Sequence, residues 1–323
     1  MALGTRIVSL GHYQPARVLT NADLEAIVET SDEWIRSRVG IETRRIAAPD
    51  ETVDEMAAHA ASKALAASGF PAARIDLVIV ATCTALDRSP SMSARVSARL
   101  GLNGPAVLDL NVACAGFTHA LAVADHTIRA DAATTALVIG VEKLTDMADW
   151  TDRSTCVLVG DGAGAAVITA SDDPGIGPVL WGSVPELSSA VRIEVERTDG
   201  VPDRAGAARF AQDGQSVYRW ATTKLPAIAR AACERGGLQP EDLAAVVFHQ
   251  ANLRIIEPIA QKLGAVNAIV ARDVVESGNT SAASVPLALS KLLERGEVRR
   301  GAPMLLFGFG GNLSYAGMIV RCP

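Results

Sequence analysis

One of the five cysteines lies in a setting that favours a nucleophilic role. Cys114 is part of the segment Asp109-Leu-Asn-Val-Ala-Cys-Ala-Gly-Phe117, where an apolar strand gives way to small residues and a helix is predicted to begin at or near the cysteine. Unpaired backbone N–H groups and the positive end of the helix dipole favour a thiolate there, so we expect a lowered pKa of this thiol. The small neighbours would let a substrate carbonyl approach closely. The competing interpretation is a cysteine packed inertly at a helix start.

Two further polar residues follow or precede predicted elements in positions suited to a site. His249 comes directly after the apolar strand segment Ala245–Phe248, where a side chain can point into a cleft; a hydrogen-bonded core histidine is the alternative. Asn279 precedes a predicted helix, and an N-cap or turn role explains it equally well. We interpret His119 and His126, on the helix after Cys114, as structural.

A glycine-rich segment, Gly308-Phe-Gly-Gly-Asn-Leu313, follows a predicted strand. It lacks the Lys-Ser/Thr ending of a phosphate-binding P-loop and does not open a helix. Its backbone N–H groups could instead form an oxyanion hole.

The remaining cysteines do not form a ligand or disulfide pattern. They are widely spaced, and the sequence contains no Cys-x-x-Cys motif. Both features argue against a disulfide framework and against a thiolate zinc site. We therefore expect no metal, and we interpret these four as buried, inert thiols: Cys83, Cys156, Cys233 and Cys322.

The composition is that of a globular protein with material for two domains or one double unit. The chain has 323 residues, of which 49% are hydrophobic and 20% charged, and its formal net charge of −6 argues against general nucleic-acid binding. Apolar runs are strand-length, too short for a membrane helix. The N-terminal segment 1–6 lacks the features of a secretory signal, so we expect a cytoplasmic protein without membrane association.

Strands alternate with helices through both halves of the chain, which indicates an α/β fold of βαβ units with parallel sheets. The segment 160–164 suggests a tight turn between strands, and Ser183–Arg209 suggests surface strands and loops. A junction near Ser171–Pro178 gives predicted domains 1–172 and 173–323. The predicted strands are Ile7–Leu10, Ile75–Ala81, Ala106–Leu110, Ala136–Val141, Leu243–Phe248, Ile269–Ala271, Met304–Phe307 and Ser314–Val320, and the predicted helices are Thr52–Ser68, Met92–Leu100, the stretch from Cys114 to Ala130, Val217–Arg235, Leu253–Leu263 and Ala282–Leu293.

Several segments together resemble the β-ketoacyl-(acyl-carrier-protein) synthase III family of the thiolase superfamily. They are Thr30-Ser-Asp-Glu-Trp-Ile35, Gly160-Asp-Gly-Ala-Gly-Ala165, His249-Gln-Ala-Asn252, Gly278-Asn-Thr-Ser-Ala-Ala-Ser284 and the closing glycine loop, in this order. The resemblance implies the thiolase fold, two similar halves stacked in five αβαβα layers. It also implies that the family's Cys-His-Asn triad falls on Cys114, His249 and Asn279, with an oxyanion hole at the backbone of Cys114 and Gly311.

The family's reaction is a ping-pong decarboxylative Claisen condensation of an acyl-CoA starter with malonyl-acyl-carrier protein, which begins fatty acid or polyketide synthesis. The resemblance thus implies two substrates and no bound cofactor. Thiolases fit less well, since they carry a second catalytic cysteine in Cys-x-Gly, and elongating synthases use a second histidine where Asn279 stands. Two other functions stay open: an acyltransferase that passes an acyl group to a hydroxyl or amine, and a non-catalytic subunit.

The resemblance also implies binding residues, for which solvated surface charge is the alternative at each arginine. Trp34 and Arg153 match the pair that sandwiches the CoA adenine, Arg38 matches a phosphate contact and Asn252 lines the pantetheine tunnel. A basic patch for the acidic carrier protein falls on Arg219, Arg254 and Lys262.

The same resemblance suggests a homodimer, with the strand Ala106–Leu110 near the contact. Phe309 is expected at the acyl pocket. Ser89 stands where many family members have a phenylalanine that closes this pocket across the dimer, and Asn312 stands where glycine is frequent. The small serine favours a branched, longer or unusual starter over acetyl-CoA alone.

Overall fold

Two mixed five-stranded sheets form the framework of the described part of the chain. The structure is a computed structural model that describes residues 4–87, 89–195, 197–198, 201–202 and 208–323. Its strands are β1 Gly4–Tyr13, β2 Arg17–Thr20, β3 Thr43–Ile46, β4 Leu77–Ala81, β5 Ala106–Leu110, β6 Thr135–Lys143, β7 Asp161–Ser171, β8 Leu180–Gly182, β9 Val191–Val195, β10 Arg197–Thr198, β11 Val201–Pro202, β12 Ala208–Gln212, β13 Ala245–Phe248, β14 Ile269–Val270, β15 Pro303–Phe309 and β16 Tyr315–Arg321.

The helices connect these strands and cover the sheets. They are α1 Asn21–Glu25, α2 Asp32–Val39, α3 Val53–Ser68, α4 Met92–Arg99, α5 Gly116–Arg129, α6 Gly214–Arg235, α7 Leu253–Leu263, α8 Val274–Ser277 and α9 Ser284–Glu294. Short 3-10 turns precede α5 at Ala113–Ala115 and α9 at Ser281–Ala283. Among the helices described, none combines the length and the apolar character needed to cross a membrane.

The two sheets have the same strand arrangement. The first runs β1-β7-β6-β4-β5 and the second β8-β16-β15-β13-β14. In each, three neighbouring strands are parallel, and the remaining two pair in antiparallel fashion. The expectation of parallel sheets was therefore only partly right. The first sheet uses strands up to residue 171 and the second uses strands from residue 180.

Alternating side chains divide the core into layers. Residues Val78 and Val80 of β4 pack with α3 and α4 on the outer face of the first sheet, while Ile79 packs inward with α5 and α9. In the second sheet, Val247 faces the same central helices and Val246 faces α6 and α7 on the outside. Strands covered on both faces become continuously apolar, as β4 is. The order helix, sheet, helices, sheet, helix confirms the five predicted layers.

The sequence-based prediction of a tight turn at residues 160–164 was wrong. Residues Asp161–Ser171 form one continuous strand. Its glycines serve close packing instead: a Cβ added at Gly164 would lie 2.6 Å from the Leu287 nitrogen, and one at Gly162 would lie 2.9 Å from the Leu287 Cδ1. Here β7 touches α9 of the second half with no space for a side chain. The other predicted strands and helices are present, with ends shifted by a few residues.

Candidate active site

Cys114 lies at the entrance of the central helix α5. It occupies the 3-10 turn Ala113–Ala115 that directly follows β5 and leads into the helix. Its neighbour Ala113 has φ +45°, a left-handed conformation that alanine rarely adopts. Local strain of this kind is typical of functional turns. The predicted helix start is confirmed.

The expected lowering of the Cys114 pKa is wrong. Burial raises the pKa of this thiol to about 11, against opposing hydrogen bonds from the Ser281 side chain and the Gly311 backbone. The helix end acts on a sulfur that is almost completely removed from water, and the loss of hydration outweighs the favourable dipoles. In the resting site Cys114 is a thiol.

The closing glycine loop packs directly against this sulfur. A Cβ added at Gly310, whose φ is +156°, would lie 2.5 Å from the Cys114 Cβ and 2.9 Å from its Sγ. Only a glycine lets the chain pass so closely. The next residue, Gly311, then directs its N–H group at the sulfur. The loop therefore brings a backbone donor to Cys114, as the oxyanion-hole prediction requires.

Asn279 is held between the two halves of the molecule. Its backbone N–H donates to the Leu158 carbonyl at 2.8 Å, and its carbonyl accepts from Gly160 N–H at 3.0 Å. The side-chain oxygen accepts from the Ser281 N–H at 2.9 Å. Because Oδ1 is occupied in this way, the amide NH₂ group is the part of Asn279 free to donate into the cavity that it lines.

His249 follows β13, as predicted, and is buried and neutral. Burial lowers the pKa of its imidazole to about 3. Its Nδ1 lies 2.7 Å from the Ser284 hydroxyl oxygen, which also accepts from the Gln250 N–H at 3.3 Å. We assign the Ser284 hydroxyl as the donor to Nδ1, an assignment that puts the imidazole proton on Nε2. His249 thereby becomes an uncharged hydrogen-bond donor.

A buried carboxylate that the sequence reasoning missed lies beside the two site cysteines. Glu142, at the end of β6, is fully buried and accepts hydrogen bonds from Thr84 at 2.7 Å and from Ser281 at 3.0 Å. Burial raises its pKa. The signal that could have found Glu142 is its position: a charged residue at the carboxyl end of an apolar strand, the criterion already applied to His249.

Cys83, predicted to be a buried and inert thiol, is only partly buried. It lines the cavity at Cys114, its S–H donates to Glu142 at 3.2 Å, and its sulfur lies 3.7 Å from the Ser281 hydroxyl. Burial raises its pKa well above the usual value for a thiol. The other three cysteines are buried away from this cavity, as predicted.

The cavity over Cys114 has a volume of 440 Å³. Cys114, Asn279 and Gly311 form its base, and the hairpin of β9 and β12 contributes Ile193 and Phe210 as apolar wall. The segment Ser183–Arg209, predicted as surface strands and loops, therefore also contributes to the cavity lining. Residues 196, 199–200 and 203–207 within it lie outside the described part. This space suits an apolar chain attached to the cysteine.

A second cleft, of 530 Å³, brings together four residues predicted to bind substrates. Trp34, Arg38, Asn252 and Arg254 line it. Trp34 is fixed because Ser31 caps α2 by accepting from the Trp34 N–H at 3.1 Å. The Asn252 oxygen caps α7 in the same manner, through the Ile255 N–H at 3.1 Å, which leaves its amide NH₂ toward the cleft.

Arg153 and Trp34 lie together, as predicted. The Arg153 guanidinium carbon is 5.2 Å from the centre of the Trp34 ring, and the side chain donates to the Glu29 carbonyl at 3.0 Å. A planar cation and an indole held in this way suit a flat, charged ligand.

The residues predicted for carrier-protein binding are exposed on α6 and α7. Arg254 lies 5.9 Å from the centre of the Tyr218 ring at the mouth of the second cleft. Arg219 is exposed on α6, whereas the Lys262 ammonium donates to the Thr222 carbonyl at 2.8 Å and so ties α7 to α6. The Lys262 ammonium is therefore partly engaged within the chain, by its hydrogen bond to α6.

Two predicted acyl-pocket residues do not line the cavity of the single chain. Ser89 is exposed, in a loop with a cis bond to Pro90. Phe309 is buried with its ring centre 5.3 Å from that of His249, so it supports the histidine. Within the described residues, no group of three or more His, Cys, Asp or Glu side chains is arranged to hold a metal ion.

Comparisons with known proteins give a consistent result. The family description 3-oxoacyl-(acyl-carrier-protein) synthase III matches residues 108–185, and the description of its C-terminal part matches residues 233–322. Over the full length of both chains the sequence is 71% identical to β-ketoacyl-(acyl-carrier-protein) synthase III 4 of Streptomyces coelicolor. It is 70% identical to synthase III 2 of Streptomyces avermitilis, over 99% of each chain.

A solved structure extends the similarity to three dimensions. The priming β-ketosynthase from the R1128 polyketide biosynthetic pathway superimposes with a TM-score of 0.96 at 41% identity, covering 100% of this chain and 97% of that one.

Proposed function

The chain belongs to the β-ketoacyl-(acyl-carrier-protein) synthase III family, and on that premise we propose a residue-by-residue account of its reaction. The five layers are the thiolase fold, and the protein is an acyltransferase that condenses an acyl-CoA starter with malonyl-acyl-carrier protein. Similarity to a priming ketosynthase supports a role in the initiating condensation of fatty acid or polyketide synthesis. We place the division between the two halves at residues 172 and 173.

In the first half-reaction, Cys114 attacks the thioester of the acyl-CoA. The backbone N–H groups of Cys114 and Gly311 form the oxyanion hole for the tetrahedral intermediate. CoA leaves and the acyl group stays on Cys114. The close contact of Gly310 with the sulfur supports this assignment, because it holds the loop donor next to the reacting atom.

In the second half-reaction, malonyl-carrier protein loses CO₂ and forms an enolate, whose negative charge lies on the thioester oxygen. His249 Nε2–H and the Asn279 amide donate hydrogen bonds to this oxygen. No proton has to be abstracted to form the enolate, so uncharged donors suit the task. The enolate carbon then attacks the acyl group on Cys114 to give the β-ketoacyl product. The observation that carries this proposal is the orientation of both donors by Ser284 and Ser281.

The same orientation argues against the alternative acyltransferase. Passing an acyl group to a hydroxyl or amine forms no enolate, and such an enzyme needs no second oriented donor beside His249. The cavity with an unblocked Cys114 likewise argues against a non-catalytic subunit.

We propose that CoA binds in the second cleft. The CoA adenine stacks on Trp34 beside Arg153, Arg38 contacts phosphate, and Asn252 offers its amide to the pantetheine arm. Arg254 and Arg219 attract the acidic carrier protein electrostatically, and Lys262 contributes while bound to α6. The substrates are acyl-CoA and malonyl-carrier protein, without a resident cofactor.

We also propose a cytoplasmic homodimer that pairs through β5. This edge strand of the first sheet exposes Val107 and Leu108, of which 43% and 39% is accessible. An exposed apolar edge is a ready pairing surface. Ser89 then reaches the partner's acyl pocket, where its small size admits starters larger than acetyl.

Intact-mass measurement tests the proposal. The protein is incubated with acetyl-, isobutyryl- and hexanoyl-CoA, then with malonyl-carrier protein. We expect an acyl adduct on residue 114, CO₂ release and a β-ketoacyl-carrier product. Cys114→Ala abolishes the adduct, whereas Cys322→Ser, a buried cysteine outside the cavity, retains it. Acylation followed by transfer to a hydroxyl or amine without CO₂ release would favour the alternative.

A further inference from the structure

Glu142 has the surroundings of an ionised carboxylate. The Thr82 and Thr84 hydroxyls donate to its Oε2 at 3.1 and 2.7 Å. Each hydroxyl already accepts a backbone N–H, from Thr84 and Lys143 respectively, so its hydrogen is directed at the carboxylate. An ionised carboxylate only accepts hydrogen bonds, and every partner of Glu142 is able to donate.

Among the residues that the structure describes, no cation hydrogen-bonds to the Glu142 carboxylate. The neighbouring Lys143 turns away: its ammonium donates to the carbonyl groups of Ala48 at 2.9 Å and Glu51 at 3.1 Å, and lies 3.6 Å from Asp146. The carboxylate of Glu142 therefore places an unneutralised negative charge beside Cys83 and Cys114. Such a charge opposes a second negative charge nearby.

Ser281 connects this carboxylate to the nucleophile. Its hydroxyl donates to Glu142 Oε1 at 3.0 Å, and Ser281 lines the same cavity as Cys114, where its side chain opposes the burial that raises the pKa of the thiol. The residue has φ +45°, so the turn holds this side chain in place in spite of backbone strain. The Ser281 hydroxyl, hydrogen-bonded to the Glu142 carboxylate, thus lies in the cavity lining next to the Cys114 thiol.

Resting on the proposed function, we propose that Glu142 stores the proton that Cys114 loses on acylation, and that the Ser281 hydroxyl relays it. The sulfur then attacks without leaving two buried negative charges in the site, because the charge moves from Glu142 to the oxyanion. His249, with a pKa of about 3, is a poor acceptor for this proton. Glu142 acts through Ser281 and is a positioning residue.

The step balances over both half-reactions. On acylation, the Cys114 S–C bond forms, the C–S bond to CoA breaks, and the thiol proton passes to Glu142. CoA departs as thiolate and takes a proton from solvent. On condensation, the bond from the enolate carbon to the acyl group forms, the Cys114 thioester breaks, and the thiolate recovers its proton from Glu142. The proton consumed by decarboxylative condensation thus enters from solvent during acylation.

Proton uptake during acylation tests the relay. The protein is mixed with acetyl-CoA or isobutyryl-CoA, without malonyl-carrier protein, in weakly buffered pH indicator at neutral pH, where an ordinary thiol of pKa about 8.5 stays protonated. We expect one proton taken up for each Cys114 acylated, with the adduct counted by mass. Direct transfer of the thiol proton to CoA gives no uptake.

Three variants separate a relay from a structural role. Glu142→Gln acylates without proton uptake, and Glu142→Asp, which keeps a carboxyl group, retains uptake. Ser281→Ala keeps the backbone N–H that holds Asn279 but slows acylation about 100-fold and loses uptake. As a control, Asp161→Asn changes another buried carboxylate, which bonds Thr145 and Ala47, and retains uptake.

The outcomes are distinguishable from those of the proposed function. An adduct on Cys114 without proton uptake in the unchanged protein would overturn the relay and leave the condensation intact. Uptake that persists in Glu142→Gln would also overturn it. If no adduct forms with either acyl-CoA, the relay and the proposed function fail together.

Discussion

Neighbouring serines hydrogen-bond the two side chains that we propose as donors to the reacting thioester. Ser284 shares its hydroxyl with His249 Nδ1, and the Ser281 N–H occupies the Asn279 oxygen. Burial keeps the His249 imidazole neutral and the Asn279 amide carries no charge, so both side chains are uncharged donors. The proposed stabilisation of the enolate thus depends on the direction of these N–H groups rather than on a positive charge.

Loss of either donor should separate the two half-reactions. We expect His249→Ala and Asn279→Ala to acylate at Cys114 from acyl-CoA and to lose malonyl decarboxylation by about 100-fold each, since one donor to an oxyanion stabilises the transition state by about 3 kcal/mol. Radiolabelled acyl-enzyme and CO₂ release measure the two steps. Unimpaired decarboxylation in both variants would remove the donors from the mechanism.

The burial of His249 predicts a pH effect on stability. The unfolded histidine takes up a proton below its ordinary pKa of 6.5, but the folded one does so only near 3. This group therefore leaves the stability of the folded state unchanged above pH 6.5 and reduces it as the pH falls from 6.5 towards 3. Between pH 6.5 and 5 the free energy of unfolding should fall by about 2 kcal/mol more in the unchanged protein than in the His249→Gln variant, as measured by urea unfolding. Equal losses would contradict a neutral buried imidazole.

At the level of elements, the contact of the closing glycine loop with Cys114 limits which residue can occupy position 310. In Gly310→Ala the new methyl group would lie 2.5 Å from the Cys114 Cβ, so the loop must move and Gly311 N–H leaves the sulfur. We expect acylation to fall at least 100-fold, by analogy with removal of one oxyanion donor.

Gly296→Ala is the matched control for this substitution. Gly296 also has positive φ, +68°, but a Cβ there meets nothing within 4 Å. It should cost about 1 kcal/mol of stability through backbone strain and leave acylation unchanged. Unchanged acylation in both variants would show that the close contact of residue 310 with Cys114 is not needed for the reaction.

Most elements could be predicted because their apolar periodicity and their terminal glycines are local signals. The strand β7 could not, since its glycines resemble a turn until α9 is packed against them. Likewise, the pKa of Cys114 follows from burial by the second half, while the sequence shows only the helix that begins beside it. The position of Glu142 at the carboxyl end of β6 was a local signal, but its hydrogen bond with Ser281, which is distant in sequence, is visible only in the fold. The features that could not be predicted from the sequence are those that depend on contacts between the two halves of the molecule.

On the scale of the molecule, carrier-protein binding should depend on salt. The net charge of −6 would repel an acidic partner, so attraction has to come from the local patch of Arg219 and Arg254. We expect Arg254→Glu to weaken carrier binding about tenfold at low salt and the difference to shrink as salt is raised. Arg299→Glu is the control, because Arg299 precedes the amino end of β15, whereas His249 follows the carboxyl end of the parallel neighbour β13. Titration calorimetry measures both; affinity indifferent to salt and to Arg254→Glu would exclude the patch.

The proposed dimerisation through β5 would link this edge strand of the first sheet to the active site. The end of this strand continues directly into Asn111 and Ala113, which line the cavity at Cys114, so pairing at the edge would stabilise the strained turn as well as the sheet. A charge inserted in the middle of the edge should prevent pairing. We expect Val107→Lys to sediment as a monomer and to acylate at least tenfold more slowly, whereas Val266→Lys, at a valine that is 80% exposed beyond α7, stays dimeric and active. A Val107→Lys protein that sediments like the unchanged chain would place the contact on another surface, and a fully active monomer would show that Cys114 needs no partner.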